Sequence, residues 1–112
     1  MNVRILARWD DDPLESAITL DAQLAQAGRR IAGRSMLFGA AGLGSDKVRP
    51  FVLDASGKMD FGAGVPASDR FWHCDIRQCE IALGGAFGVT WSGGERGVFR
   101  IEKIAVVGSK VK

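Results

Sequence analysis

The chain has 112 residues, enough for one domain with a modest core, and its 46% hydrophobic and 25% charged content is that of an ordinary globular protein. No apolar run approaches bilayer-spanning length, and a net charge of +2 is low for a dedicated nucleic-acid binder. Two cysteines exclude a disulfide scaffold, and fifteen glycines favour many short strands over long helices.

Met1 to Ile5 enters a strand pattern with no signal-peptide character, so a cytoplasmic setting with unpaired thiols at Cys74 and Cys79 is expected. The first strand runs from Val3 to Trp9, and Asp10-Asp11-Asp12-Pro13 stops it. Three adjacent acids can ligate calcium, but the spaced ligands, glycine and closing glutamate of a calcium loop are missing. A solvated turn without metal is expected there. Ala17 to Leu20 reads as a short second strand. Thr19 then offers an N-cap hydroxyl and Asp21 a first-turn negative charge. Leu20, Leu24, Ala27 and Ile31 follow at spacings that make one stripe of a helix. One short helix over about residues 20–28 is therefore expected, ending near Gly28.

The segment Ile18-Thr19-Leu20-Asp21-Ala22-Gln23-Leu24-Ala25-Gln26-Ala27-Gly28 resembles one that recurs in small tailed-phage and prophage structural proteins. There a strand leads into a short helix of the form LDxxxAxxLxxAG; the spacing here is compressed. The resemblance covers residues 18–28 only. It implies a virion accessory protein and carries over no functional residue.

Ser35 to Lys47 is rich in small residues. Gly39 and Gly44 have the spacing that opens a phosphate-binding loop, but Ser45-Asp46 precedes Lys47, no hydroxyl residue follows it, and Pro50 opposes a helix. No cofactor is expected, and the stretch reads as a mobile loop ordered by a neighbour. Phe51 to Asp54 reads as a strand, Ala55 to Lys58 as its turn and Met59 to Phe61 as the return, before a surface loop from Gly62 to Asp69.

From Phe71 to Val107 the pattern is a β-meander. Trp72, Cys74 and Ile76 alternate with His73, Asp75 and Arg77; then Cys79, Ile81 and Leu83 take the opposite parity. That flip implies a bulge or bend near Arg77–Cys79, or two separate short strands. Phe87, Val89 and Trp91 form a further strand, and Ser92 to Gly97 a glycine-rich turn. Val98 to Val107 then returns, with a second flip near Glu102–Lys103. The fold class expected is mainly β: an antiparallel sandwich or partial barrel with one short helix, in a single domain.

His73-Cys74-Asp75 suggests a nucleophile beside a base. On a strand, however, His73 and Asp75 face away from Cys74, and Cys79 completes no standard zinc spacing. No catalytic or metal residue is expected. Trp72 and Trp91 fall on buried faces; Trp9 stands at a strand end.

Charge is grouped. Five acids and no base lie between Asp10 and Asp21, five bases against Asp46 between Arg29 and Arg49, and five against Glu102 from Arg96 to Lys112. Acidic and basic faces can dock copies of one chain. Interface candidates are Asp10, Asp11, Asp12, Arg29, Arg30, Arg34, Leu43, Lys47, Arg49, Lys110 and Lys112. The function expected is that of a non-enzymatic structural subunit, a capsid decoration or head–tail joining protein in a virion. Its partners would be copies of itself and a larger assembly. Two alternatives are a nucleic-acid-binding module using Arg29, Arg30, Arg34, Lys47 and Arg49, and a small enzyme centred on His73.

Overall fold

A computed structural model describes residues 1–25, 29–43 and 47–107, without the side chains of Leu43 and Lys47. The protein is mainly β. Its strands are β1 (Asn2–Trp9), β2 (Ser16–Gln23), β3 (Leu37–Leu43), β4 (Lys47–Leu53), β5 (Lys58–Asp60), β6 (Phe71–Cys74), β7 (Ala86–Thr90) and β8 (Arg96–Val106). Each pairs antiparallel with the next, and β8 pairs with β1, closing an eight-stranded barrel. Closure removes the free edges that an open sheet would expose.

Alternation fills the barrel. Val3, Ile5 and Ala7 point inward from β1, and Ile18, Leu20 and Ala22 from β2. Phe51, Leu53 and Met59 join from β4 and β5, and Phe87, Val89, Phe99 and Ile101 from β7 and β8. These side chains form one core, so the interior is packed rather than a channel. Ion pairs Arg4–Asp21, Arg8–Glu102 and Arg100–Asp10 stand on the outer wall, where a membrane-spanning barrel would carry an apolar band.

The expected helix is not formed over its described residues. Leu20 pairs with Ile5 on one side and Gly39 on the other, and the strand continues to Gln23. Ile18, Leu20, Ala22 and Leu24 also have period two. A helix this short is marginal alone, whereas β1 and β3 give the backbone of residues 17–20 partners on both sides, and pairing with β1 continues to Gln23. Leu24 and Ile31 do meet in the core, through a β-bridge. Residues 26–28 of the expected helix lie outside the described residues.

The small-residue stretch is likewise mostly strand, β3 paired along β4; its residues 44–46 lie outside the described set. Gly39 faces inward, where a Cβ would strike the Thr19 carbonyl and the Phe51 ring. Small side chains here make room for a neighbour instead of marking a loop.

The hairpin from Phe51 to Phe61 forms as expected. Its turn is held by Asp54, whose carboxylate accepts from the Ser56 and Lys58 amides at 2.9 Å each. The first parity flip is neither a bulge nor a new strand: β6 ends at Cys74, a 3-10 turn covers Ile76–Gln78, and Ile76 and Ile81 plug the core. The second flip is a bulge. Leu6 pairs with Lys103 but Ala7 with Ile101, leaving Glu102 as the extra residue.

One barrel end is sealed by Leu24, Ile31, Ile76 and Ile81. Arg77 donates there to the carbonyls of Asp54 (2.9 Å), Ser35 (2.6 Å) and Leu53 (3.3 Å). Arg29 donates from Nε to the Ile81 carbonyl at 3.0 Å, and Arg30 to the Gln78 carbonyl.

Candidate functional site at the open end and outer wall

The opposite end stays open. Because strands alternate in direction, the end of β1, the starts of β2, β6 and β8, and the residue after β7 all meet there. Trp9, Ser16, Trp72, Arg96 and Trp91 stand at these five positions, Trp72 as the second residue of β6. Trp9 and Trp91 pack edge to face at 5.4 Å and 77°, and Trp72 and Trp91 at 6.2 Å and 87°. Phe61 continues the series beneath Trp72 at 4.8 Å. Gly97 makes this possible: a Cβ there would strike the Trp91 ring and lie 3.0 Å from Trp9 Nε1.

These rings wall a hollow of about 500 Å³, completed by Asp11, Glu15, Ser16, Glu95 and Arg96. A second, of about 320 Å³, lies against Trp72 and Trp91 with Arg49, Asp69, Ser92 and Gly93. Ser16 is only 6% exposed, and its hydroxyl has no hydrogen-bond partner among the described residues; neither has Trp9 Nε1. Arg96 is drawn down the outer wall over Gly88 to Asp75, at 2.9 Å. Burial pushes the Asp75 carboxyl up, but hydrogen bonds from Arg96 and the Gly88 amide outweigh it and hold the group below its usual range.

The His73-Cys74-Asp75 trio divides three ways. His73 is exposed, with Nε2 at 3.0 Å from the Ser56 carbonyl. Cys74 is buried, and desolvation pushes its thiol up to about 12, where almost no thiolate exists at neutral pH. Asp75 is occupied by Arg96.

The interface candidates are scattered. Asp10 is held bidentate by Arg100 at 3.0 and 2.8 Å, which lowers its pKa. Asp12 accepts from the Leu14 and Glu15 amides within its own turn, at 3.3 and 3.2 Å. Asp11 faces the open-end hollow. Arg29 and Arg30 seal the closed end, and Arg34 is exposed beside it. Arg49 pairs with the fully buried Ala41, so it shares the inward face and reaches the second hollow. Leu43 and Lys47 pair through their backbones, and their side chains lie outside the description, as do Lys110 and Lys112 altogether.

An outer wall emerges that the charge pattern gave no sign of. Phe38 pairs with Val52, Ala40 with Pro50 and Gly42 with Val48, all on the outward face of β3 and β4. Phe38 is 66% exposed and Val48 67%, and Met36 precedes them at 63%. The signal was present as alternation within residues 37–53, hidden by reading the small residues as loop. The tryptophan cluster had a fainter signal: Trp9, Trp72 and Trp91 each adjoin a turn at the same barrel end.

No family model matches the chain, and no curated protein or solved structure matches it.

Proposed function

We propose that the protein is a non-enzymatic assembly subunit that binds copies of itself through the outer face of β3 and β4. One observation carries this: six outward positions in register are all apolar or glycine, and Phe38 and Val48 among them are two-thirds exposed. Ion pairs frame the face, Arg4–Asp21 on one side and Asp60–Arg70 on the other. An apolar centre inside a charged rim is the anatomy of a protein interface, and a twofold dimer can bury the same patch on both copies. Fully burying a phenylalanine or valine stabilises by about 1.5–3 kcal/mol.

The virion role, in a capsid decoration or head–tail joining subunit, belongs to the same proposal. It rests on the sequence resemblance of residues 18–28 alone, since residues 18–23 form strand and not the helix of that pattern, and a self-associating barrel suits it. The nucleic-acid reading has less support, because Arg29 and Arg30 serve the closed end and Arg49 turns inward.

The test is light scattering on the purified chain and on the double variant Phe38→Lys, Val48→Lys. Both positions point outward, so the barrel survives. The wild type is expected to form a discrete oligomer and the variant a monomer. A wild-type monomer at every concentration overturns the proposal.

A further inference from the structure

We propose that the hollow between Trp9, Trp72 and Trp91 binds an organic cation, an alkylammonium or guanidinium head carried on an aliphatic stem. The first ground is shape. Trp91 stands nearly perpendicular to both other indoles; Trp9 and Trp91 are partly exposed and wall the hollow, and the buried Trp72, backed by Phe61, lines it from the core side. A cation within about 6 Å of several ring centroids is attracted by each of their quadrupoles. A sugar ring prefers one flat platform, which perpendicular walls do not provide. The volume, about 500 Å³, exceeds what a bare ammonium needs and leaves space for its stem.

The second ground is charge. Asp11, Glu15 and Glu95 line the hollow, and none forms an ion pair among the described residues. The one arginine at this rim, Arg96, has its charge answered by Asp75. Arg49 lies in the neighbouring hollow that Trp72 and Trp91 also line. Carboxylates around indole faces attract a cation and repel an anion.

The third ground is independent of both. Ser16 is buried and lines the hollow, and its hydroxyl has no partner among the described residues. A buried hydroxyl without a partner costs stability, and a ligand N–H that reached the Ser16 oxygen past the side chains covering it would relieve that cost.

The site is on the barrel's end and the association face on its side, so either can fail without the other. The test is a titration of the isotopically labelled full chain, following the indole N–H resonances of its three tryptophans. The probes are choline, its uncharged isostere 3,3-dimethylbutan-1-ol, butylammonium, N-acetyl-arginine amide and methyl glucoside. Cations are expected to shift the indoles saturably, and the neutral isostere to leave them unmoved at equal concentration. A preference for butylammonium or the arginine amide, which carry N–H donors for Ser16, marks a side chain of a partner; a preference for choline, which has no N–H, assigns the binding to the rings and carboxylates alone and marks a free quaternary ammonium as the source. The double variant Glu15→Gln, Glu95→Gln should weaken cation binding by up to about tenfold at low salt, with the backbone amide dispersion of the folded barrel kept. Indoles unmoved by every cation, moved equally by the neutral alcohol, or moved by the glucoside alone would overturn the proposal. The monomeric Phe38→Lys, Val48→Lys variant should titrate like the wild type.

Discussion

Two walls of this barrel, built on the same alternation, face outward in opposite ways. Along β8, β1 and β2 charged side chains stand among outward Leu6, Thr19 and Val98, and most of them are matched: Arg4 with Asp21, Arg8 with Glu102, Arg100 with Asp10. Along β3 and β4 the outward positions carry Phe38, Ala40, Gly42, Val48, Pro50 and Val52. Elsewhere an exposed ring is covered, as Phe71 is by Lys58 Nζ at 4.8 Å and the Arg70 guanidinium at 4.9 Å. The difference teaches where to look for a partner. A wall whose charges are already paired within the chain has little to offer a second copy, while an uncovered apolar wall gains by meeting one.

The largest expected effect is loss of self-association. Phe38→Lys with Val48→Lys should weaken it by at least a hundredfold, measured by sedimentation, because each lysine would be desolvated in the interface. The unfolding midpoint of the monomer should hardly move. If that midpoint falls steeply instead, the wall is core and the contrast with β8 and β1 disappears.

Gly39→Ala comes next. Its Cβ would meet the Thr19 carbonyl and the Phe51 ring, so β3 must shift against β2 and β4. Overpacking of this kind costs about 1–3 kcal/mol, readable by denaturant unfolding. Association should weaken too, since the apolar wall moves with β3.

The charged wall should respond to acid. Arginine hydrogen bonds hold the carboxyls of Asp10 and Asp21 on this wall, and of Asp60 at the rim of the apolar one, below their usual range. An unfolded aspartate titrates near 3.9, so in that region the folded chain binds fewer protons than the unfolded one. This stability is present in full above about pH 4 and is lost as the pH falls through the depressed values. Thermal unfolding followed against pH should show a midpoint that is level near neutrality and falls below about pH 4. A midpoint independent of pH down to that range would mean these pairs contribute nothing.

The smallest effect belongs to Glu102→Gln. It discharges an exposed pair with Arg8 and should change unfolding free energy by less than about 1 kcal/mol, with no change in association. An effect on association would make the charged wall an interface after all.

How much of this was legible depends on which force decides each segment. Period-two alternation with large apolar residues reports β1, β8 and the Phe51–Phe61 hairpin directly, and the parity change at Glu102 reports the bulge. β2 was ambiguous because Leu20, Leu24 and Ile31 satisfy helical spacing as well. Pairing with β1 and β3 decided it, and those partners are distant in sequence. β3 was hidden because Gly39, Ala40, Ala41 and Gly42 fit a loop as readily as a strand packed against the Phe51 ring. The roles of Arg29, Arg30 and Arg49 depended on which barrel end or face each reaches, which closure alone fixes. For the same reason the meeting of Trp9, Trp72 and Trp91 could not be read from their spacing.

The measurement that bears most directly on the central claim is sedimentation across a concentration series at low and moderate salt. Association through the β3–β4 wall predicts a discrete oligomer whose dissociation constant barely changes with salt, because burial of apolar surface drives it. A chain that is monomeric throughout, or an oligomer that salt takes apart, would contradict the account.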